Sequence, residues 1–343
     1  MNGSNEAQAL ADTAEAELAE GDLAEADLAE AEQLEHTHEL AALDGVESEA
    51  LEALEGAVKR APKPDGLPGV RHTGEHITGH LRLHAQVGSR FLDQKRDVFV
   101  YLPPGYEKAG NTERYPVLYM NDGNNLFDAE AAFGGNEWHV DETAEWMIAN
   151  GELRPMIIVG VANTMDRMDE YTWVPGEAGG HYCGGAGALY ARFLIEELKK
   201  MIDAQYRTLP EREHTGIAGS SLGGLISLYI GMHFSDVFSR VAVISPSLHW
   251  SRQASLYTAR RMPRDLHIWL DMGWNEDGYG RPPKVIRETR ALRQILDDKG
   301  YEVGKNLAYF EDPRGTHSEY HWARRMPKIL QFLFGRPATP AAN

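Results

Sequence analysis

The chain has 343 residues, enough for one large α/β domain or two smaller ones with a sizeable core. It carries 52 acidic and 34 basic residues, and residues 1–58 hold 17 of the acidic ones and none of the basic ones. An acidic segment joined to a nearly neutral remainder argues against nucleic-acid and membrane partners. The single cysteine, Cys183, excludes an intrachain disulfide. Because we find neither a secretory pattern nor an apolar run of membrane-spanning length, we expect a cytoplasmic protein.

Residues 1–60 form an acidic segment rich in Ala, Glu and Leu. Leu18, Leu23 and Leu28 recur at a spacing that turns an α-helix by about 140° beyond one full turn, so they form no apolar stripe. We therefore expect marginal helix or disorder in this segment. A linker rich in Pro and Gly is predicted at 61–75, a folded domain at 76–336 and a disordered tail at 337–343.

Residues 77–87 alternate between polar and apolar side chains, which predicts the first strand of the domain. Four histidines recur here at every fourth position, a spacing that would bring metal ligands together on a helix: His72, His76, His80 and His84. On a strand, four residues span about 13 Å, which is too far for one ion to bridge. We therefore predict a solvent-facing row of histidines and no metal site.

Regular alternation of strands and helices follows. Strands are predicted at Arg96–Leu102, Pro116–Asn121 and Met156–Ala162, and a helix at Glu137–Asn150. The last of these strands is apolar throughout, as is typical of a strand that is buried on both faces.

A long Gly-rich loop, Asn163–Gly187, starts where that buried strand ends. Loops of this length in compact domains are usually functional, so we predict that this one lines a substrate pocket. The side chains predicted to contact the substrate are Arg167, Glu170, Tyr171 and Trp173. A salt-bridged surface turn is the alternative for the Arg and Glu pair. A helix is predicted next, at Ala188–Tyr206.

Residues 213–234 contain the pattern G-x-S-x-G between a short strand and an apolar helix, as Gly219-Ser220-Ser221-Leu222-Gly223. A serine at such a sharp turn has a strained backbone and projects above the sheet. The N–H groups and the dipole of the following helix stabilise negative charge that forms there. The pattern predicts Ser221 as a nucleophile and the Leu222 N–H as an oxyanion donor, whereas Ser220 points the other way. The alternative is a chance match in a Gly-rich loop.

A second oxyanion donor is needed from a turn that follows another central strand. The polar turn Asp122–Asn125 directly follows the predicted strand Pro116–Asn121. We predict the Asn124 N–H as this donor and the Asn125 N–H as second choice. An ordinary β-turn is the alternative.

Three more strands are predicted after the Ser221 helix, at Val241–Ser245, Leu266–Asp271 and Leu307–Phe310. A helix is predicted at about Lys284–Lys299, and a final helix runs to Phe334. His249 and Trp250, which follow the first of these strands, are predicted to contact the substrate. The order of elements predicts the α/β class, with one mostly parallel sheet covered by helices on both faces.

A serine nucleophile needs a base within hydrogen-bond reach and a carboxylate that orients the base. In this architecture such groups collect at the carboxyl ends of strands. The loop after the Leu307–Phe310 strand offers His317, with His321 as a rival one helical turn later. The loop after the Leu266–Asp271 strand offers Asp271, Glu276 and Asp277, and position alone does not decide between the last two.

Several stretches together resemble the putative-esterase family of α/β hydrolases, which includes enterochelin-esterase-like proteins, feruloyl esterases, S-formylglutathione hydrolases and mycolyltransferases. The matching stretches are Arg96–Tyr106, Val117–Gly123, Arg167–Thr172, Gly219–Gly224, Ser245–Ser247 and Gly315–Glu319. The resemblance implies an α/β-hydrolase fold with Ser221 as nucleophile and His317 as base. It also implies an acid three residues beyond a glycine, which favours Glu276 over Asp277. The family pattern has no segment that corresponds to residues 1–60.

We therefore expect a serine hydrolase that cleaves the carboxylic ester of a small molecule through an acyl-enzyme, without a cofactor. Two other classes remain open at this point. One is an acyltransferase that uses the same acyl-enzyme but excludes water, and the other is a non-catalytic interaction protein that uses the acidic segment. The oligomeric state and the identity of the ester are left open.

Overall fold

The computed structural model describes residues 71–72, 78–276 and 284–336. The predicted segment 1–60, the tail 337–343 and Asp277 lie outside these residues. No helix among the described residues is long and apolar enough to cross a membrane.

The described residues contain a central sheet of nine strands and a separate two-stranded hairpin. The central strands are β1 (Arg71–His72), β2 (His80–Val87), β3 (Arg96–Leu102), β4 (Val117–Asn121), β5 (Ile157–Val161), β8 (Thr215–Ser221), β9 (Arg240–Pro246), β10 (His267–Gly273) and β11 (Leu307–Asp312). The hairpin consists of β6 (Gly176–Ala178) and β7 (His181–Cys183).

The sheet has the strand order β1-β2-β3-β5-β4-β8-β9-β10-β11. The pairs β1/β2, β2/β3 and β3/β5 are antiparallel, and every later pair is parallel. The carboxyl ends of β8, β9, β10 and β11 therefore lie at one edge, where functional groups collect. The mostly parallel sheet that the sequence predicts is confirmed.

Helices cover both faces of this sheet. They are α1 (Val140–Ala149), α2 (Arg167–Glu170), α3 (Gly187–Arg192), α4 (Lys199–Gln205), α5 (Leu222–His233), α6 (Ala254–Thr258), α7 (Lys284–Asp298), α8 (Glu319–Ala323) and α9 (Met326–Phe334), with a π-helical turn at Phe193–Leu198. On β9, Ala242 and Ile244 share a core with α1 and α9, whereas Val241 on the other face lies against Gly231 of α5. Successive residues of a strand point to opposite faces, so the apolar run fills two cores.

Two local predictions are wrong. The strand predicted at 77–87 corresponds to β2, which begins at His80 and leaves out residues 78–79. His80 is exposed, but His84 does not face solvent: it is buried, and its Nε2 lies 2.6 Å from the Tyr206 hydroxyl. The predicted final helix is broken at residues 324–325, between α8 and α9, and Pro327 is the second residue of α9. Proline lacks an N–H and clashes with the carbonyl four residues earlier, so one continuous helix cannot pass through it.

Candidate active site

Ser221 is the last residue of β8 and directly precedes α5, and its backbone is strained, with φ 59° and ψ −125°. The turn is tight enough to require glycine beside it. A Cβ at Gly219 would lie 2.5 Å from the Gly223 carbonyl oxygen, and one at Gly224 would lie 2.8 Å from the Ile244 carbonyl oxygen. The geometry is that of a serine held above the end of a sheet.

His317 and Glu276 form a continuous hydrogen-bonded chain with this serine. His317 Nε2 lies 2.9 Å from Ser221 Oγ, and His317 Nδ1 lies 2.9 Å from Glu276 Oε2. The rival His321 instead places its Nδ1 2.8 Å from Thr316 Oγ1. A serine, a histidine and a carboxylate so arranged can pass a proton from the hydroxyl to the imidazole.

The loops that hold Glu276 and His317 are joined to each other. The Trp274 N–H donates to the Asp312 carbonyl at 2.9 Å, and the Asn275 N–H donates to the Gly315 carbonyl at 2.9 Å. A Cβ at Gly273 would lie 2.6 Å from the same Gly315 oxygen. Because β10 and β11 are parallel neighbours, their two loops leave the sheet side by side and bring the acid and the base together.

Glu276 is buried, and its inner oxygen is well supplied with donors. Oε1 accepts hydrogen bonds from the Ser245 hydroxyl at 2.6 Å, the Gly273 N–H at 2.7 Å and Arg325 Nη2 at 3.3 Å. Burial raises the pKa of Glu276, but the hydrogen bonds from His317 and Ser245 and the charges of His317 and Arg325 outweigh it and lower this pKa overall. The carboxylate is therefore ionised at neutral pH, as an orienting acid must be.

The turn after β4 contains both predicted second oxyanion donors, Asn124 and Asn125. The Asn125 N–H donates to the Asp122 carbonyl at 2.9 Å, so it is used within the turn. Asp122 has a left-handed backbone, and a Cβ at Gly223 would lie 3.1 Å from its Oδ2. The turn thus lies against Gly223 in the first turn of α5.

A cavity of about 720 Å³ opens next to Ser221 and His317. Its wall includes the predicted substrate residues Arg167, His249 and Trp250. The wall also contains apolar, charged and hydroxyl side chains, among them Met168, Glu177, Ser247, Ser251, Met272, Lys284, Val285 and Glu288. A cavity of this size can hold an acyl or alcohol group as large as a drug-sized molecule.

The prediction that Glu170 and Tyr171 contact the substrate is wrong. The Glu170 carboxylate is buried and binds the Arg96 guanidinium at 2.7 Å and 2.6 Å. The Tyr171 ring is fully buried, and its hydroxyl accepts the Asp122 N–H at 3.1 Å. Glu170 thus joins α2 to the start of β3, and Tyr171 supports the turn after β4.

Trp173 also does not reach the cavity beside Ser221, which corrects a third predicted contact. It is buried and stacks on Tyr229, with 5.0 Å between the ring centroids. Of the side chains of the long loop, Glu170, Tyr171 and Trp173 are buried, whereas Arg167, Met168 and Glu177 line the cavity.

Arg167 has two contacts that the sequence did not reveal. Its Nε and Nη2 donate to the Asp122 carboxylate at 2.7 Å and 2.8 Å, while the same side chain lines the cavity. It therefore joins the wall of the cavity to the turn after β4.

Ser245, Ser247 and Arg325 are further site residues that sequence reasoning missed. The Ser247 hydroxyl oxygen lies 3.2 Å from Ser221 Oγ, and Ser245 and Arg325 bind Glu276. The only sequence signal was the stretch Ser245–Ser247, which resembled the family but suggested no contact.

One group of possible metal ligands occurs among the described residues, formed by Glu137, His139 and Glu142. Their ligand atoms lie within 4.8 Å of one another, and none of the three lines the cavity. Glu142 lies in the first turn of α1, where the helix dipole favours a carboxylate. A metal ion bound by these three residues would therefore lie outside the cavity beside Ser221.

Comparison with known proteins identifies the family of this chain. A family model described as "Putative esterase" matches residues 89–333. The uncharacterized protein YbbA of Bacillus subtilis is 23% identical over 268 residues, which cover 76% of this chain and 98% of that protein. An endo-1,4-beta-xylanase/feruloyl esterase of Xylanibacter ruminicola is 30% identical over 251 residues, which cover 68% of this chain and 29% of that protein.

A similar fold occurs in a solved structure. The enterobactin esterase FES from Shigella flexneri, solved in the presence of enterobactin, superposes with a TM-score of 0.57 at 19% identity, over 80% of this chain and 60% of that one. The chain belongs to the putative-esterase family and is a carboxylic ester hydrolase with the α/β-hydrolase fold.

Proposed function

We propose that this protein cleaves the ester of a small molecule through an acyl-enzyme on Ser221, with His317 as base and Glu276 as the orienting acid. The observation that carries the proposal is the chain of two 2.9 Å contacts from Ser221 Oγ through His317 to Glu276, set on a strained strand-to-helix turn. Nucleophilic catalysis requires these three groups in this order.

In the first half of the reaction, Ser221 Oγ attacks the ester carbonyl and transfers its proton to His317 Nε2. The ionised Glu276 accepts the Nδ1–H, which keeps the imidazole in the tautomer whose Nε2 is free to take that proton. The N–H groups of Leu222 and Asn124 stabilise the oxyanion. His317 then gives the proton to the leaving alcohol, which leaves the acyl group on Ser221.

In the second half, His317 takes a proton from water, and the resulting hydroxide adds to the acyl carbonyl. Collapse of the tetrahedral intermediate returns the proton to Ser221 Oγ and releases the carboxylic acid. The His317 side chain is 39% exposed, so water reaches the base. This exposure supports hydrolysis over acyl transfer to another alcohol. The complete Ser221–His317–Glu276 relay supports catalysis over a purely binding role.

The substrate is proposed to be a small-molecule ester with one aromatic part. The cavity of about 720 Å³ is large enough for such a group, and Trp250, Met168 and Met272 give it apolar surface. The feruloyl esterase relative makes aryl and hydroxycinnamoyl esters the first compounds to test.

Pre-steady-state kinetics with a chromogenic aryl ester test the proposal. We expect a burst of released phenol equal to the enzyme concentration, followed by slower turnover, and no burst from Ser221→Ala. Turnover by Ser221→Ala at the wild-type rate would reject Ser221 as the nucleophile. A second phase that needs an added alcohol acceptor would instead identify an acyltransferase.

A further inference from the structure

A buried polar cluster lies behind Glu276, on the side away from His317. It consists of Ser245 at the end of β9, Asp271 on β10, Trp322 on α8 and Arg325 between α8 and α9. The side chains of Asp271 and Arg325 are 0% and 2% exposed, and that of Glu276 is 1% exposed. Groups this buried are not positioned by solvent, so their contacts with one another decide where each of them points.

The Ser245 hydroxyl is the centre of this cluster. It accepts hydrogen bonds from Trp322 Nε1 at 3.0 Å and Arg325 Nη1 at 3.2 Å, and it donates to Glu276 Oε1 at 2.6 Å. Since both acceptor positions of the hydroxyl are filled, its one proton is directed at Glu276. Ser245 also has a left-handed backbone with φ 41°, and Asp271 Oδ1 accepts its N–H at 3.1 Å.

Arg325 connects the rest of the cluster. Its Nη1 bonds to Asp271 Oδ1 and to Ser245 Oγ, while its Nη2 donates to Glu276 Oε1 at 3.3 Å. A planar guanidinium presents these donors in a fixed fork, so holding one side of the fork aims the other side. Asp271, which also accepts Trp269 Nε1 at 2.6 Å, holds the first side.

We propose that Ser245 and Arg325 are positioning residues, which fix the Glu276 carboxylate in its orientation toward His317 while Asp271 anchors Arg325. The inference rests on the proposed function, because it assigns a role relative to the same Ser221–His317–Glu276 relay. Neither residue touches the reacting atoms. Both act on the oxygen of Glu276 that faces away from His317, and thereby leave Oε2 as the oxygen that meets Nδ1.

The charges of the cluster agree with this division of roles. Burial raises the pKa of Asp271 in spite of Arg325, whereas hydrogen bonding lowers that of Glu276. One guanidinium faces two carboxylates, so the cluster keeps one net negative charge until His317 becomes an imidazolium. The negative charge therefore remains on the carboxylate that faces the base.

Variants that remove single contacts test the proposal through kcat and KM. Ser245→Ala and Ser245→Gly should each lower kcat about 10-fold with little change in KM, because one hydrogen bond to Glu276 is lost. Arg325→Met should lower kcat about 100-fold, the loss expected when catalytic groups are displaced by about 1 Å. Arg325→Lys should recover part of the lost kcat. Matched controls lie at the other end of β9, where Ser239→Ala and Arg240→Met remove donors to backbone carbonyls and should leave kcat unchanged.

A double variant separates positioning from stability. Arg325→Met leaves the Asp271 carboxylate buried without its cation and should lower the urea midpoint of unfolding, whereas Asp271→Asn/Arg325→Met removes both charges and should restore it. We expect kcat of the double variant to stay about 100-fold low, because the bonds to Ser245 and Glu276 are still missing. Recovery of kcat together with the midpoint would overturn the proposal, since Arg325 would then act only on stability.

Proton NMR of the free enzyme gives a second readout that needs no substrate. The Nδ1–H of His317 in its hydrogen bond with Glu276 should give a downfield resonance in the wild type, and Ser245→Ala should shift or broaden it while Ser239→Ala does not. An unchanged resonance and an unchanged kcat in Ser245→Ala would reject the positioning role. A wild-type protein without esterase activity would reject the proposed function, and the resonance would still report on the cluster.

Discussion

The substitution Glu276→Gln should reverse the tautomer of His317. The inner oxygen of Glu276 faces three donors, namely the Gly273 N–H, the Ser245 hydroxyl and Arg325 Nη2. The amide oxygen of a glutamine would take this side, because an NH₂ group there would meet three donors. The NH₂ group then faces His317 Nδ1, which must become an acceptor, so the ring proton moves to Nε2 and blocks proton transfer from Ser221.

The size of the effect follows from the same three contacts. Each buried donor left without its acceptor costs about 1–3 kcal/mol, so turning the amide the other way is disfavoured by at least about 3 kcal/mol, or more than about 100-fold. The wrong tautomer therefore dominates. We expect kcat to fall by about 10³ to 10⁴-fold, the scale seen when the acid of another serine-hydrolase triad is replaced by its amide.

Steady-state hydrolysis of an aryl ester measures this loss, with circular dichroism to show that the fold is kept. Glu196→Gln is the matched control, because its carboxylate binds Arg90 and Arg192 and contacts neither the relay nor the loops that hold Glu276 and His317. Asp277→Asn should also have little effect. A loss of less than about 10-fold in Glu276→Gln, or a larger loss in Asp277→Asn, would refute the reasoning.

Three further predictions concern the long loop and the acidic segment. Glu170→Gln breaks the buried pair with Arg96 and should lower the free energy of unfolding by about 3–5 kcal/mol without raising KM; a raised KM with unchanged stability would mean that Glu170 contacts the substrate. Arg167→Ala should lower kcat/KM about 10-fold on a small aryl acetate and on a bulky ester alike, since it releases Asp122, which lies against the first turn of α5; a loss confined to the bulky ester would mean that Arg167 only contacts the substrate. Deleting residues 1–60 should leave kcat/KM and Tm nearly unchanged, because the segment has no apolar stripe; a large drop in either would show that it packs on the domain.

The strands and the reacting groups were accessible to sequence reasoning because local patterns determine them. Apolar runs predicted the buried strands, and the G-x-S-x-G pattern together with the adjacent Gly224 forms the turn at Ser221 from residues that are close in sequence. Since the carboxyl ends of parallel strands meet at one edge, the loops that carry Glu276 and His317 could be predicted to converge there.

The partners of these groups could not be predicted, because they depend on packing between distant segments. Arg325 follows Ser245 by 80 residues and contacts it from the short segment between α8 and α9. The substrate contacts predicted for the long loop were partly wrong for a related reason. Arg, Glu and Tyr in a loop resemble substrate contacts, but a buried partner such as Arg96 for Glu170 turns them inward. Cytoplasmic location and the domain bounds remain predictions.

The most direct test of the central claim is to identify the residue that carries the acyl group during turnover. The protein is mixed with an excess of an aryl ester, quenched with acid within the burst phase, digested and analysed by mass spectrometry. We expect the acyl mass on the peptide that contains Ser221, and its decay with the rate of steady-state turnover when the ester is exhausted. Ester turnover without an adduct on this peptide, or with the adduct on another residue, would contradict the assignment of Ser221 as the nucleophile.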